Sequence, residues 1–167
     1  MGWCRAYSWK KSTRRNFVVP FTKEELEQRL ADAWVSTAMP WALTLLSGAQ
    51  RRVVHVQNAS STYVYAIAAR PEDLAQALSA LHANEVEAPV PGTHLLCVLE
   101  PWYGHAALFG VQTLGGLPVV SDLQLFLDLV HYPLRGAESA VQLLRSRIAM
   151  GIGMSANDMA RVERSIG

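Results

Sequence analysis

The side chains that could do chemistry are few and widely spaced. The five histidines and two cysteines form no H-x-H, H-E-x-x-H or C-x-x-C pattern, so no zinc-site spacing is present. Cys97 follows His94 by three residues, a spacing that puts the two side chains on opposite faces of a strand. Glu85 and Glu87 would share one face of a short segment, where we expect a solvated strand edge. These patterns predict no metal site and no catalytic residue.

The lysines and carboxylates argue against several enzyme classes. No lysine follows Lys23, so the domain body lacks a Walker lysine and the lysine of a strand-borne nuclease site. No G-x-G-x-x-G occurs, and no acidic residue lies between Asp32 and Glu72. We therefore predict a chain that is not an enzyme and uses no cofactor. A divergent nucleotidyltransferase or nuclease is the alternative, and it requires convergence of these carboxylates: Glu72, Asp73, Glu100, Asp122 and Asp128.

The N-terminal stretch is the first feature that could carry a binding function. Residues 1–20 hold no acidic residue, and their cations alternate with four aromatic residues. The five cations are Arg5, Lys10, Lys11, Arg14 and Arg15. Such a set could pair with phosphates and stack on bases, which would make this a small nucleic-acid-binding protein. The plainer interpretation is an arm or edge strand whose tryptophans pack onto the domain.

Periodicity and turn residues indicate the elements that must position these groups. Helices are predicted from the Thr22 capping box, over 41–49, over 71–83, from a cap at Ser121 or Asp122 to 129, and over 137–150. Strands are predicted at 53–56, 62–69, 86–90, 94–99, 108–111 and 118–120. This order predicts an α/β (α+β) domain with a central mixed sheet and helices packed on it. We expect a basic aromatic arm at 1–20, one domain at 21–153 and a C-terminal tail at 154–167.

The second feature lies between Pro118 and Glu138. The run P-V-V-S-D-L-Q-L-F-L-D-L is followed by Y-P and then by R-G-A-E-S-A. Gln124 and Asp128 are four residues apart, so they share a helix face and could bond each other or Arg135. These residues resemble the C-terminal signature of AbiEi-type antitoxins and related winged-helix regulators. Residues 41–49 and the basic, aromatic residues 5–9 are also similar to segments of that family.

The resemblance implies a non-catalytic, nucleotidyltransferase-like sheet that serves as the effector or partner-binding half of a transcriptional regulator or antitoxin. In type IV toxin–antitoxin systems the antitoxin represses its own operon and opposes a nucleotidyltransferase-like toxin. The implied partners are a protein such as a cognate toxin, and DNA through a separate winged-helix domain, for which this chain has no room. The implied partner-binding residues are Gln124, Asp128, Arg135 and Glu138.

Composition sets the remaining expectations. A chain of 167 residues with 50% apolar and 17% charged residues can bury the core of one domain. The net charge of +1 predicts no general attraction to nucleic acid or membrane. No apolar stretch reaches the ~20 residues that span a bilayer, and residues 8–16 are too polar for a signal peptide. We expect a cytoplasmic protein, and a homodimer is plausible from its tryptophans and apolar helix faces.

Overall fold

A seven-stranded mixed sheet forms the centre of the fold in the computed structural model, which describes residues 7–35, 37, 39–53, 60–133 and 135–166. The strands are β1 (Thr13–Val19), β2 (Trp41–Leu43), β3 (Ser61–Ala66), β4 (Asn84–Val86), β5 (His94–Glu100), β6 (Gln112–Leu114) and β7 (Leu117–Val119). Their order across the sheet is β4-β1-β5-β3-β2-β7-β6. The pairs β3–β5 and β2–β7 are parallel and the others are antiparallel. The predicted α+β fold class is confirmed.

Helices cover both faces of this sheet. They are α1 (Lys23–Val35), α2 (Leu45–Gln50), α3 (Pro71–Ser79), α4 (Asp122–Val130), α5 (Gly136–Leu143), α6 (Ala149–Ile152) and α7 (Ala156–Ile166), with 3₁₀ turns at Trp9–Lys11 and Gly104–Leu108 and a π-helical segment at Leu144–Ile148. Helices α1 and α3 bury Leu26 and Leu78 in the core on one face. Helices α4 and α5 bury Leu125 and Leu143 in the core on the other. The sheet therefore separates two apolar cores.

Local chemistry places several helix starts where the sequence predicts them. The Thr22 amide donates to Glu25 Oε2 at 2.9 Å, and the Glu25 amide donates to Thr22 Oγ1 at 3.3 Å, which completes the capping box before α1. Pro71 occupies the first turn of α3, where its missing N–H costs no hydrogen bond. Ser121 caps α4 with its side chain. These predictions are confirmed because each depends only on neighbouring residues.

Three element predictions are wrong, because sheet pairing and chain packing override local periodicity. The edge strand predicted at 86–90 lies instead at Asn84–Val86, where it pairs with β1. Residues 41–49 do not form one helix: Trp41–Leu43 is strand β2, which pairs with β3 on one side and β7 on the other, and helix α2 begins only at Leu45. The strand predicted at 108–111 is replaced by the Gly104–Leu108 turn, and β6 starts at Gln112. The strand predicted at 53–56 falls largely on residues 54–59, outside the described residues.

Both ends of the chain contribute to the domain. Strand β1 is paired along one edge with β4 and along the other with β5, so residues 13–19 belong to the sheet and not to a separate arm. At the other end, Met159, Val162 and Ile166 of α7 are partly buried against the core beside α4 and α5. The expected boundaries at residues 20 and 153 therefore do not separate structural units. Within the described part of the chain, no helix has the length and apolar character needed to cross a bilayer.

Candidate binding site at helix α4

Helix α4 positions the central residues of the site. Ser121 Oγ accepts a hydrogen bond from the Gln124 amide at 3.2 Å, which fixes the first turn. Leu125 and Leu129 are fully buried against the core, and Asp128 lies on the same face as Leu125 because it follows Leu125 by three residues. Leu123 lies on the opposite side and is exposed. The helix therefore holds one carboxylate inside the core and one apolar side chain in solvent.

Asp128 is a fully buried carboxylate that four neutral donors surround. It accepts hydrogen bonds from the Tyr7 hydroxyl, the Tyr65 hydroxyl at 2.8 Å, the Thr44 hydroxyl and the Gln124 Nε2 at 3.0 Å. The donors come from the N-terminal segment, strand β3, the start of α2 and α4 itself. We call these five residues the Asp128 hub. It ties four distant parts of the chain to one point.

The pKa values in the hub follow from burial and from the donors. Burial raises the pKa of Asp128 to about 6, although the hydrogen bonds from its four donors favour the ionised form and act in the opposite direction. Burial and then the charge of Asp128 raise the pKa of Tyr7 and of Tyr65 far above the ordinary tyrosine value, so both hydroxyls stay protonated donors. With no exposed surface, Asp128 has no open side from which a substrate could approach. Its geometry suits a structural anchor.

Tyr7 connects the hub to the surface of the molecule. Its hydroxyl accepts a hydrogen bond from Gln124 Nε2 at 2.6 Å and lies 3.1 Å from the Tyr65 hydroxyl. Its ring stacks on Tyr103, with centroids 5.4 Å apart and planes 15° from parallel. The ring of His131 lies on a further side, 6.3 Å away. The loop that follows β5 is therefore supported from below by an aromatic side chain that is itself bonded to the hub.

Exposed apolar side chains gather above this support. Phe109 is 84% exposed, Leu123 62% and Tyr103 43%. The loop carrying Phe109 reaches helix α4 at Gly110, where a Cβ would lie 3.4 Å from the Cβ of Ser121. Tyr103 reaches the same helix through Tyr7 and Gln124. We call Tyr103, Phe109 and Leu123 the apolar patch.

An ion pair between the buried Arg52 and the partly exposed Asp122 holds the turn before α4. The Arg52 guanidinium donates to the Val120 carbonyl at 2.6 Å and to Gln112 Oε1 at 2.9 Å, and it pairs with Asp122 at 2.7 Å. Arg147 approaches the same carboxylate at 3.2 Å. Burial lowers the pKa of Arg52, and the charge of Asp122 opposes this. Asp122 therefore joins α2, β7 and the π-helical segment, which makes the start of α4 a rigid corner.

The four predicted partner-binding residues are not on one surface. Gln124 and Asp128 share a face and bond each other, as the spacing predicts. Asp128 is nevertheless buried in the core, so its prediction as a partner contact is wrong. It is buried because it shares a helix face with Leu125. Arg135 and Glu138 are exposed at the start of α5, and within the described chain neither is among the donors to Asp128.

The glycine that follows arginine in the signature, Gly136, is required for steric reasons. A Cβ on Gly136 would lie 2.7 Å from the Cβ of Tyr132 and would also clash with the Leu129 carbonyl oxygen. Glycine therefore allows α5 to start directly against the end of α4. Arg135 precedes it in the left-handed region, with φ 63°.

The five predicted nucleic-acid-binding cations also separate. Arg5 lies outside the described residues. Lys10 and Lys11 are exposed on the first 3₁₀ turn. Arg14 and Arg15 are neighbours on β1, so they lie on opposite faces: Arg14 donates to Asn16 Oδ1 at 2.9 Å, and Arg15 forms a two-bond pair with Glu85 at 2.7 and 2.8 Å. Arg14 and Arg15 therefore do not share one surface, and nucleic-acid binding by this set of cations stays a prediction.

Three of the five carboxylates that the enzyme alternative requires have separate partners, and Glu72 is exposed at the start of α3. Asp73 pairs with Arg70 at 2.7 Å at the start of α3, and Asp122 pairs with Arg52. Asp128 is enclosed by its neutral donors, and Glu100 is exposed at the end of β5. Among the residues that the structure describes, no group of three or more His, Cys, Asp or Glu side chains is arranged to hold a metal ion.

Sequence reasoning missed the residues that complete the site. Tyr65 and Thr44 join the hub only through long-range packing, and no local pattern marks them. Phe109 and Tyr103 carry a weak signal, because they are aromatic residues beside glycines in a loop. Aromatic residues in a glycine-containing loop are candidates for contact surfaces, because loops run over the protein surface.

Comparison of the chain with protein-family models gives no match, and comparison with curated proteins gives none either. The resemblance to AbiEi-type antitoxins therefore stays a prediction from the signature residues. The geometry around α4 is the remaining guide to function.

Proposed function

We propose that this chain is a protein-binding domain, the effector or partner-binding half of a transcriptional regulator or AbiEi-like antitoxin, and that it binds through the apolar patch. The observation that carries the proposal is the exposure of Tyr103, Phe109 and Leu123 around one end of α4. Single exposed apolar residues are ordinary, whereas exposed apolar residues on two segments that meet at one end of a helix are typical of an interaction surface. Aromatic side chains also supply much of the binding energy in protein interfaces.

The charge pattern around the patch favours a protein partner. Residues 101–121 contain no Asp, Glu, Lys or Arg. A partner can therefore cover this loop without removing a charge from water, which would cost several kcal/mol per ion. Interface centres are depleted in charged residues for the same reason. The half-exposed Gln124 supplies a polar group at the margin of the patch.

The support beneath the patch favours binding in a further way. The Asp128 hub and the Arg52–Asp122 pair hold both segments that carry the patch. A surface that is already ordered loses less side-chain and loop entropy when a partner binds, so more of the contact energy appears as affinity. The hub is thus best understood as a device that preorganises the surface.

The resemblance suggests which partner to test. In an antitoxin system it would be the cognate toxin, encoded by the neighbouring gene, and DNA would be bound by a separate winged-helix domain. The location in this proposal is the cytoplasm. Cys97 is a buried free thiol, which agrees with a reducing compartment.

Calorimetry of the full chain with the neighbouring gene's product tests the proposal. Replacement of Phe109→Ser together with Leu123→Ser should weaken binding by at least about 30-fold, because the loss of even one anchor that contributes ~2 kcal/mol at the centre of an interface has this effect. Ile152→Ser is the matched control, since Ile152 is an exposed (64%) apolar residue on α6 outside the patch. Equal affinity of the double variant and the control would contradict the proposal, as would the absence of binding.

Sedimentation of the full chain alone distinguishes a patch that binds another protein from a patch that binds a second copy of this chain. A monomer over the working concentration range agrees with the proposal. A dimer that Phe109→Ser dissociates would instead identify the apolar patch as a self-association surface, and the proposal would then be wrong in its partner.

A further inference from the structure

Two segments that are far apart in sequence meet beside the apolar patch. The Ser12 hydroxyl oxygen accepts a hydrogen bond from the Trp102 amide at 3.1 Å. Ser12 directly follows the 3₁₀ turn Trp9–Lys11, whose Lys10 and Lys11 are exposed. Trp102 is itself 63% exposed. The two exposed lysines thus lie within two residues of the point where the backbone of the exposed Trp102 meets this turn, and we call Lys10, Lys11 and Trp102 the basic corner.

The two segments that meet at the basic corner together carry positively charged side chains and no carboxylates. Residues 7–20 and 101–121, the two segments that meet there, contain no Asp or Glu. Within the described residues, Lys10 and Lys11 take part in no ion pair, in contrast to Arg15, which Glu85 neutralises. An exposed acid, Glu100, directly precedes the second segment and pairs across the sheet with Thr13. An anion approaching from the lysine side therefore meets net positive charge.

We infer that the basic corner binds single-stranded nucleic acid, with the lysines on successive phosphates and a base stacked on Trp102. Single-stranded DNA or RNA repeats an anion and a planar ring at every nucleotide, which is the combination that two lysines and a tryptophan match. This activity is additional to the protein binding proposed above and uses different residues.

Two other kinds of polyanion fit the corner less well. A DNA duplex offers phosphates, but its bases are stacked on each other and cannot lie on an exposed ring. An acidic peptide would satisfy the lysines but offers no planar face at each charge. The exposed tryptophan is therefore the feature that favours an unpaired strand, and the assay must show that both the ring and the cations contribute.

Fluorescence anisotropy with labelled oligo(dT) and oligo(rU) of about fifteen nucleotides tests the inference, because such lengths fill one binding site of this kind. Two phosphate contacts on a single strand predict a slope of about 1.4 for log Kd against log salt, so binding should weaken about sevenfold between ~50 and ~200 mM salt. Trp102→Ala should weaken binding at least about fivefold. Preference for one probe distinguishes DNA from RNA within the same chemistry.

Charge variants sharpen the test. Lys10→Glu with Lys11→Glu should abolish binding and its salt dependence, whereas Glu100→Gln should tighten binding by removing an opposing charge. Arg161→Glu with Arg164→Glu on α7 is the matched control: it removes the same charge from exposed positions elsewhere and should leave Kd nearly unchanged. Circular dichroism of each variant separates lost binding from lost folding.

Three results would overturn the inference. The first is no binding of either probe at ~50 mM salt, where phosphate contacts are strongest. The second is equal loss of affinity in the α7 control, which would indicate a general charge effect. The third is equal competition by a duplex or by polyglutamate, which would show that the ring takes no part.

Discussion

Replacement of Asp128→Asn tests whether the hub holds a costly buried charge. The folded-state pKa of Asp128 is about 6, against 3.8 for an exposed aspartate. Between pH 3.8 and about 6 the folded chain binds more protons than the unfolded chain. The stabilisation that this provides is complete below the unfolded-state pKa and is lost as pH rises through the folded-state pKa. A gap of roughly two pKa units corresponds to about 3 kcal/mol. Asparagine has nearly the same shape and carries no charge at any pH.

Urea unfolding of both proteins from about pH 3.5 to 7.5 measures this quantity. The unfolding free energy of the wild type minus that of the Asn variant should fall by about 3 kcal/mol as pH rises across this range, with most of the change between the two pKa values. All other titrating groups are shared, so they cancel in the difference. The hydrogen-bonded neighbours of Asp128 are hydroxyls and an amide, which do not titrate in this range.

Asp73→Asn supplies a control of opposite sign. Its hydrogen bonds from Arg70 lower the pKa of Asp73, so the stability that it contributes is present above its unfolded pKa and is lost as pH falls. It is exposed to solvent screening, so its effect should be small. If the difference in unfolding free energy between the wild type and Asp128→Asn does not change with pH, the reasoning is refuted, because Asp128 would then have the same pKa in the folded and unfolded chains. A difference that rises with pH would show that the donors stabilise the anion more than burial destabilises it.

Two further variants test the support of the site. Tyr7→Phe keeps the stacking on Tyr103 but removes the hydroxyl that donates to buried Asp128, so urea unfolding should show a loss of about 1–3 kcal/mol, whereas unchanged stability would mean that the hub does not depend on this donor. Gly136→Ala should cost about 1–3 kcal/mol because its Cβ has no room beside the backbone of Leu129, and a gain in stability, as helix propensity alone would give, would contradict the packing described.

The sequence predicts those parts of the fold that neighbouring residues determine. The capping box at Thr22, the cap at Ser121 and the proline at the start of α3 each bond or constrain residues within one turn, so they are readable from the chain alone. Strand β2 is not readable in this way. Its three residues are held by β3 and β7, which lie far away in sequence, and their apolar character fits a helix equally well.

The candidate site shows the same division. The spacing of Gln124 and Asp128 predicts their hydrogen bond, because a helix brings positions four apart together. The burial of Asp128 could not be predicted: a charged residue on a helix ordinarily indicates a solvated face, and only hydroxyls from Tyr7, Thr44 and Tyr65 make the interior tolerable. Tyr65, Thr44 and Tyr7 lie 63, 84 and 121 residues from Asp128 along the chain.

The cost of the buried carboxylate bears on its purpose. Apolar residues in place of Asp128 and its donors together would avoid a desolvation cost of about 3 kcal/mol, and such replacement of a buried charge with its partners often stabilises proteins. Such a core would not select one position for residue 7, because apolar side chains form no hydrogen bond with each other. Tyr7 is the residue on which Tyr103 of the apolar patch stacks, so a hub that orders Tyr7 also orders the surface. We therefore expect variants of Asp128 that preserve stability to weaken partner binding, since what they lose is the arrangement of the patch and not the integrity of the core.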